Sequence, residues 1–552
     1  MSLQRSSVIF SLFLFCYCAN EIAPSGGKKD EDPPKIVSAN PPNLSLNFNS
    51  DKIRFKFNEY LENTSFSKTI ISPATNPSPK FKVNLNKITV YLPQHLQPNT
   101  TYIINFADDV KDINESNILK NFIYVFSTGD HIDSQRVEGN ICDAFTREPE
   151  ENMLVMLYDK DSLNQLFSGK PRYFAFSDKS GNFAVNFLKP GEYALAALKD
   201  QNSNFIYDQQ SEKIAFSSEP INLVDKAKQE VNLQSFYQKL DMPKIIAVEE
   251  IIPGKINIVF NNPIQRFKAE GHIFKNSHVA YFNENNDTLT VWYSKANVKT
   301  DIWYYSINDT IQDSVSLKYL ASDTPNKEIK YTLKIDKQPF KAVTQLSNST
   351  PEIISPYEQV VIHFSSPVTE IKDDLDIQLK NDSTGRVVSV KATIEAQTRL
   401  SAKLTFPLKN STYKVLIPKG MFKSIHETYN DSTTLFFQTD AKDLYGNLKI
   451  RFTQRPFSSV LLELLDNKGI RVSKVYLSNE VETSSILFKN LREGKYTLRI
   501  IYDENSNGRW DSGNIFTRTQ PEKVNVYKNL PELKGAWEAE FEVGEEKTIL
   551  RR

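Results

Sequence analysis

Two acidic, amide-rich stretches of this 552-residue sequence carry side chains whose types and spacing could bind a metal ion. The later stretch has oxygen-bearing side chains at positions 1, 3, 5 and 9 of a loop: Asp503, Asn505, Asn507 and Asp511. Such oxygens can converge on Ca²⁺ around a tight turn, and Gly508 at position 6 permits the bend. Position 12 is Asn514 instead of the bidentate Glu of an EF-hand. The pattern therefore predicts a calcium site of modest affinity, with a metal-free Asx-turn connection as the alternative.

The earlier stretch has the same spacing, at Asp200, Asn202, Asn204 and Asp208. Phe205 stands where the later stretch has glycine, so calcium is less favoured here. Both stretches follow related strands, LKPGEYALAALKD at 188–200 and LREGKYTLRIIYD at 491–503, at a constant offset of 303 residues. A repeat over so long a separation predicts a duplicated module.

No other pattern in the sequence indicates a reaction. The six histidines form no His-Glu-x-x-His arrangement, and the sequence contains neither a Gly-x-Ser-x-Gly motif nor a phosphate-binding glycine loop. Ser65 and Lys68 match Ser-x-x-Lys without the partner motifs of an acyl-transfer site. We therefore predict no catalytic residues and no enzyme, although a carboxylate pair that meets only in space, as in glycosidases, would leave no sequence pattern.

Charge argues against nucleic acid as the partner, because 67 Lys and Arg balance 67 Asp and Glu and no basic block stands out. Aromatic residues cluster between positions 292 and 305, where Trp292 and Trp303 could stack on a sugar. The alternative is that these alternating strand residues face a core.

The first eighteen residues predict an export signal, with Arg5 followed by the apolar run Val8–Cys18, which is too short to span a bilayer. Cys18 is the candidate for lipidation, which would make the membrane a partner through a lipid anchor, although Tyr17 departs from the small residue usual before a lipidated cysteine. Residues 19–34 read as a polar tether. Plain secretion or a periplasmic location is the alternative. Cys142 would remain without an intrachain partner, and we expect it to be an unreactive, small apolar residue.

Short alternating strands separated by turn residues predict an all-β chain of tandem β-sandwich domains. Strand groups recur at 35–130, 239–340 and 341–440, and the duplicated modules occupy 131–238 and 441–552. The middle group is the most divergent.

The motif of an apolar strand ending in Phe, a Leu-x-Pro-Asn-x-Thr-Tyr turn and strand (96–102), and a closing Phe-Ser-Thr-Gly (126–129) resembles the SbsA-type bacterial Ig-like domain. The duplicated modules, with their Gly-x-Tyr-x-Leu strands, resemble the prealbumin-like, or carboxypeptidase regulatory-like, domain. The whole order, with a mature end reading CAN…PSGGKKD…PP, resembles a family of Bacteroidota envelope lipoproteins. The resemblance implies an exported, lipid-anchored surface protein of the outer membrane and no specific activity.

Three functions are consistent with this organisation. The leading hypothesis is a non-enzymatic envelope protein with a structural or interaction role, bound to another envelope protein or a glycan. The second is a carbohydrate-binding or adhesion module that uses Trp292 and Trp303. The third is an accessory to an envelope hydrolase, or a hydrolase whose site is built from residues distant in sequence.

Overall fold

The computed structural model describes residues 30–551 except 121, 209–210, 239–242, 272, 276–277, 284, 295–299, 310, 319–330, 336–351, 358, 407–408, 454–457, 481–484 and 545–547. At 300–301, 311–312, 331–335, 352 and 548–551 only the backbone is described. The described part is all-β: its regular elements are 41 strands and three short 3₁₀ helices at Leu163–Phe167, Ile273–Lys275 and Lys442–Leu444. Within it, no helix has the length and apolar character needed to cross a membrane.

The chain divides into two compact units. The first comprises the described residues up to Arg136 together with Val185–Gly191 and Leu223–Ala227. The second comprises Val137–Ala184, Glu192–Asn222 and the described residues from Lys228 onward.

The N-terminal sandwich has two sheets, ordered β1-β2-β5-β4 and β3-β6-β7. Its seven strands are β1 (Ile36–Asn40), β2 (Lys52–Phe57), β3 (Ile70–Ser72), β4 (Lys80–Asn84), β5 (Lys87–Tyr91), β6 (Thr101–Asn105) and β7 (Ile123–Ser127). The alternation in β2 buries Ile53, Phe55 and Phe57 at 1% exposure or less and leaves Arg54 and Lys56 outside, as expected for a strand with one face on a core.

The first copy of the duplicated module forms one path of strands, ordered β10-β9-β12-β13-β15-β8-β11, with β14 paired to β12. The strands are β8 (Gln135–Asp143), β9 (Leu154–Asp159), β10 (Tyr173–Phe176), β11 (Asn182–Leu188), β12 (Glu192–Leu198), β13 (Lys213–Phe216), β14 (Ile221–Asn222) and β15 (Lys228–Tyr237). Every side chain of β12 except Glu192 is buried, so this strand is central to the module.

The middle sandwich has sheets β16-β17-β20-β19 and β18-β21-β22. Its strands are β16 (Ile245–Ile252), β17 (Lys255–Phe260), β18 (Phe267–Glu270), β19 (His278–Phe282), β20 (Thr288–Tyr293), β21 (Thr300–Ile307) and β22 (Ile311–Lys318).

The next sandwich contains β23 (Tyr331–Ile335), β24 (Glu352–Ile354), β25 (Val360–Phe364), β26 (Val368–Ile371), β27 (Ile377–Asn381), β28 (Val387–Val390), β29 (Ala392–Ile394), β30 (Ser401–Leu404), β31 (Thr412–Ile417), β32 (Phe422–Ser424) and β33 (Thr433–Thr439). The sheets are β23-β25-β30-β29, β24-β33-β31-β27-β28 and β26-β32. β23 falls inside the span predicted for the middle sandwich, but it pairs with β25 of the following one. The boundary between these sandwiches therefore precedes Tyr331, not residue 341.

The second copy of the duplicated module has two separate sheets, β36-β35-β38-β39 and β37-β34-β40-β41. Its strands are β34 (Tyr445–Phe452), β35 (Ser459–Leu465), β36 (Arg471–Leu477), β37 (Ser485–Arg492), β38 (Thr497–Asp503), β39 (Val524–Tyr527), β40 (Glu538–Val543) and β41 (Thr548–Arg551). The first sheet repeats the order β10-β9-β12-β13 of the first copy, which agrees with the duplication that the sequence predicts.

The similar turns before Tyr102 and Tyr413 have a local cause. The phenolic oxygen of Tyr102 accepts the backbone N–H of Gln97 (2.8 Å), and that of Tyr413 accepts the backbone N–H of Lys409 (2.9 Å). Each tyrosine thus fixes the turn that leads into its own strand, in two separate sandwiches.

Candidate functional site: two Asx loops and the junction beside them

The Asx loop of the second copy begins where β38 ends, at Asp503, whose side chain is fully buried. The Asp503 carboxylate accepts the backbone N–H groups of Asn507 (3.0 Å) and Gly508 (2.7 Å). The side-chain amides of Asn505 and Asn507 both donate to Oδ2 of Asp511. The four predicted ligands therefore come together at one place.

The loop of the first copy repeats these contacts. The Asp200 carboxylate accepts the N–H groups of Asn204 (3.2 Å) and Phe205 (3.0 Å). Asn202 and Asn204 donate to Oδ2 of Asp208 at 2.6 and 3.0 Å. Phe205 adopts the left-handed conformation of its counterpart Gly508, with φ of 63° against 78°. The phenylalanine is 3% exposed, so burial of its ring accompanies a backbone conformation that glycine adopts more easily.

Two buried glutamates complete the loops, and the sequence reasoning missed both. Glu522 accepts the N–H groups of Glu504 and Asp511, each at 2.9 Å. Glu212 accepts the equivalent N–H groups of Gln201 and Asp208, each at 3.0 Å. Asp208 and Glu212 are four residues apart, whereas Asp511 and Glu522 are eleven apart, so the later copy has seven additional residues. The sequence contains one signal that could have revealed them: a Glu-Lys pair occurs in both copies, at 212–213 and at 522–523. These pairs are 310 residues apart, whereas the preceding part of the repeat has an offset of 303.

Burial sets the protonation of both glutamates. It is the largest influence on Glu522 and raises its pKa to about 7, with further increases from the Asp511 and Asp503 carboxylates and opposing decreases from the two backbone N–H donors. Burial likewise raises the pKa of Glu212. A carboxyl group with a pKa near 7 gains or loses its proton near neutral pH.

The calcium prediction stays a prediction for both loops. Their polar groups satisfy one another without a cation, because Asn505 and Asn507 compensate Asp511 with donated hydrogen bonds. In the part of the chain that the structure describes, no group of three or more His, Cys, Asp or Glu side chains has the arrangement of a metal site. Calcium binding would require the side-chain amides of Asn505 and Asn507, which donate to Asp511, to turn their oxygens towards the ion.

The seven additional residues lie in a segment that docks the second copy onto the first. We call residues 512–520 the docking loop. The backbone N–H of Ile515, which is 4% exposed, donates to Oε1 of Gln238 (3.0 Å). Gln520 donates to the carbonyl of Phe216 (3.0 Å) and to the hydroxyl of Ser218 (2.9 Å). The two copies, far apart in sequence, therefore contact each other directly.

Aromatic stacking supports this contact at two places. Phe516 of the docking loop stacks on Phe167, with ring centroids 5.3 Å apart and planes 9° apart. Phe145 lies 5.2 Å from Trp510, and the guanidinium of Arg499 lies 4.3 Å from the centre of the Phe145 ring.

A buried carboxylate positions that guanidinium. Glu463 accepts hydrogen bonds from Arg499 (3.0 Å) and Arg471 (2.9 Å), and its side chain is only 7% exposed. The second copy thus presents a fixed cation to an aromatic ring of the first, an arrangement that is favourable when partly desolvated.

The aromatic cluster of the middle sandwich is buried. Trp303 is fully buried and packs edge-to-face against Phe274 (5.0 Å), and Trp292 is 2% exposed beneath the ammonium of Lys255. Because both indole rings are buried, neither has an open face for the sugar stacking that the sequence predicted. Trp303 packs in the core, and Trp292 packs beneath Lys255. Only Tyr304 of the cluster, at 66%, is widely exposed.

Two cysteines were singled out by the sequence. Cys142 is half-buried, with its sulfur 4.0 Å from the carbonyl of Leu233, and burial raises the pKa of its thiol. Cys18, the predicted lipidation site, lies outside the described residues together with the signal and most of the tether.

Comparison with known proteins finds one family match. Residues 30–128 match the bacterial Ig-like domain family. No curated protein matches the chain. Solved structures aligned with it include domains 1–6 of the surface layer protein SbsC (11% identity, 91% of this chain, 67% of that chain, TM-score 0.14). Another is a major pilin subunit of Bacillus cereus, with 12% identity over 74% of this chain and 99% of that chain and a TM-score of 0.12. A third is a biofilm-associated protein BSP domain, with 10% identity over 93% of this chain and 99% of that chain and a TM-score of 0.14.

TM-scores this low establish no common fold over the aligned lengths, so the described strands carry the fold assignment for the rest of the chain. The chain thus contains a segment, residues 30–128, that matches the bacterial Ig-like domain family, and its described strands form tandem β-sandwich domains.

Proposed function

We propose that this chain is an exported, lipid-anchored protein of the cell envelope, which presents interaction surfaces and catalyses no reaction. The observation that carries the proposal is the order of its first segments: a signal-like run ending at Cys18 and a polar tether precede a bacterial Ig-like domain at 30–128. A lipidated cysteine followed by a tether would hold folded β modules beside a membrane.

The docked copies support the interaction role. The docking loop buries Ile515 between them and places side chains of both copies around one junction. Modules that are fixed relative to each other can present a composite surface, because the groups on it keep their spacing when a partner binds.

Mass spectrometry of the mature N-terminus from fractionated membranes tests the anchor. We expect an acylated Cys18 in the membrane fraction, and Cys18→Ser should abolish both the acyl mass and the membrane association. Cys16→Ser is the matched control, since it removes a neighbouring cysteine of the same run and should leave the lipid in place. An unmodified N-terminus on a soluble protein would reject the anchor and make the protein secreted or periplasmic.

The absence of catalysis needs a separate test. The purified full chain should release no product from peptidoglycan or from envelope polysaccharide preparations. Turnover that persists through further purification would contradict a purely structural or interaction role.

A further inference from the structure

The middle sandwich and the sandwich that follows it meet at His426. This residue lies in the turn after β32 of the following sandwich, where its backbone N–H donates to the hydroxyl of Ser424 (3.2 Å). Its imidazole reaches the middle sandwich and lies 6.2 Å from the indole of Trp292, centroid to centroid, with the ring planes 57° apart. A ring N–H of His426 also donates to the backbone carbonyl of Ser294, just beyond the end of β20.

Gly254 allows the imidazole to approach the backbone of the middle sandwich. It lies in the turn between β16 and β17 with a φ of 87°, and a Cβ at this position would clash with Cε1 of His426. The N–H of Gly254 donates to Glu250 (2.9 Å), and its carbonyl accepts the N–H of Tyr293 (3.1 Å). The backbone against which the ring packs is therefore held in place. We call the contact among Gly254, Trp292, Ser294 and His426 the histidine junction.

The histidine junction is poorly suited to a second positive charge. The ammonium of Lys255 already lies 5.2 Å from the centre of the Trp292 ring, and burial lowers the pKa of this lysine. Neither Lys255 nor His426 takes part in an ion pair that the structure describes. Burial lowers the pKa of His426 as well, and the Ser294 carbonyl opposes this only in part. The junction therefore favours the neutral imidazole.

The other titratable groups of the middle sandwich that face the junction have partners of their own. The carboxylate of Glu250 accepts the N–H of Gly254 and the hydroxyl of Tyr293. The hydroxyl of Tyr281 accepts the indole N–H of Trp292 (3.4 Å). Neither Glu250 nor the two phenols add to the influences on the pKa of His426, which are burial and the Ser294 carbonyl.

The following sandwich contributes two carboxylates and one ammonium to these surroundings. Glu395 lies close enough to the middle sandwich to raise the pKa of Tyr281, although burial is the larger cause, and it accepts the hydroxyl of Ser401 (3.1 Å). Glu427 is 82% exposed and lies 4.0 Å from the ammonium of Lys423. None of the three is among the influences on the pKa of His426 either.

We propose that the histidine junction is a pH-sensitive contact between the two sandwiches, closed while His426 is neutral and opened when its imidazole gains a proton. Because opening returns the ring to water, the open form binds a proton more readily than the closed form. The closed form is therefore undiminished above the ordinary histidine pKa of about 6.5, and it loses stability as pH falls through the lowered value. This property goes beyond the envelope role proposed above and does not depend on it.

Fluorescence resonance energy transfer between dyes on the two sandwiches measures the opening. Cysteines that carry the dyes replace Lys268 and Lys419, whose side chains are 64% and 78% exposed. The full chain otherwise has serine at its three cysteines, Cys16, Cys18 and Cys142. We expect the ratio of open to closed molecules to rise by about three- to 30-fold between about pH 7.5 and about pH 5. The upper figure is the limit for a histidine that has a pKa of about 6.5 when open and gains no proton while closed.

His426→Gln tests whether this histidine is the group that titrates. Glutamine can donate to the Ser294 carbonyl but does not ionise, so the variant should stay closed, with a pH response below about 1.5-fold. His278→Gln is its matched control, because His278 is exposed on β19 of the middle sandwich, and it should keep the full response.

Gly254→Ala tests the geometry of the contact. The added methyl group would clash with the imidazole, so this variant should be open at both pH values. Gly385→Ala is its matched control: Gly385 has a φ of 67°, and no atom lies within 4 Å of a Cβ added there. It therefore carries similar backbone strain without a clash, and it should respond to pH as the wild type does.

A wild-type protein that stays closed at about pH 5 would overturn the proposal. A pH response that survives in His426→Gln would overturn it as well, because another group would then control the opening. If Gly254→Ala stayed closed, the imidazole could not lie against the Gly254 backbone, and the proposal would lose its structural basis. None of these results bears on acylation of Cys18, so the envelope location stands or falls separately.

Discussion

Replacing Glu463 with glutamine should lower the local free energy of unfolding of the second copy. Glu463 holds Arg471 and Arg499 with one carboxylate oxygen each, at 2.9 and 3.0 Å, and its own side chain is 7% exposed. Glutamine retains the size and one acceptor, but it turns an N–H₂ group towards the second guanidinium and removes the negative charge. One partner lost from a fully buried pair costs roughly 3–5 kcal/mol.

The two arginines are 21% and 14% exposed, so solvent lessens this cost, and we expect about 2 kcal/mol. Because a chain of several domains does not unfold in one step, the measurement must be local. Hydrogen exchange of amides in β35 (Ser459–Leu465) and β38 (Thr497–Asp503) provides it. A loss of about 2 kcal/mol accelerates exchange roughly 30-fold, since each 1.36 kcal/mol is a factor of about ten.

Glu192→Gln is the matched control. Its ion pair with Lys160 is 2.9 Å long, but the two side chains are 39% and 44% exposed, and such pairs contribute little. Hydrogen exchange in the Glu192→Gln variant should differ from wild type by less than about threefold. If Glu463→Gln accelerated exchange no more than this control, the argument that a buried carboxylate organises both arginines would be wrong.

Four further predictions follow from the described side chains. Because burial raises the pKa of Glu522 to about 7 in the folded protein, its contribution to stability is fully present below the unfolded value of 4.5 and is lost as pH rises towards 7. After correction for the intrinsic pH dependence of exchange, hydrogen exchange of the amides in β38 should therefore accelerate less in Glu522→Gln than in wild type between about pH 5 and about pH 8; equal acceleration would contradict this. Millimolar Ca²⁺ should slow hydrogen exchange of the amides in β38 relative to chelator, and Asp511→Asn should remove this protection; identical wild-type exchange rates in the two conditions would reject the calcium prediction. Trp303→Ala should lower the local free energy of unfolding of the middle sandwich by about 3–5 kcal/mol, because the ring is fully buried. Hydrogen exchange across β17 and β20 should become faster, and an unchanged exchange rate would place the ring outside the core. A thiol reagent should label Cys142 slowly in the native protein and rapidly after denaturation, because burial raises the pKa of its thiol; equal rates in the two states would contradict this.

The all-β fold could be predicted from the sequence because local patterns determine much of it. The alternation of Ile53, Phe55 and Phe57 identifies a strand with one buried face, and the offset of 303 residues identifies the duplicated module. In the divergent middle sandwich, neither the alternation of apolar residues nor a repeat offset marks the domain boundary. β23 was assigned to the wrong sandwich, because a short apolar run does not show which neighbour it pairs with.

The candidate site was harder to predict, for a different physical reason. The Asx loops follow from residues close in sequence, whereas Glu522 reaches its loop only across an insertion that changes the repeat offset. Trp292 and Trp303 could not be assigned to the surface or the interior from alternation alone, since that pattern fixes periodicity and not which face is covered. The contact of Phe516 with Phe167 joins segments that no local pattern relates.

The docking loop also determines how the chain carries mechanical load. Since it joins residues near Gln238 to residues near Ile515, everything between these points forms a closed loop within the molecule. Tension applied from the N-terminal side to the C-terminal end would pass through the junction of the two copies before it reached the two sandwiches inside the loop. If tension separated the two copies, the chain between Gln238 and Ile515 would become free to extend, and the molecule would lengthen by the extension of both sandwiches. A single proteolytic cut within the loop would, for the same reason, leave the two fragments held together.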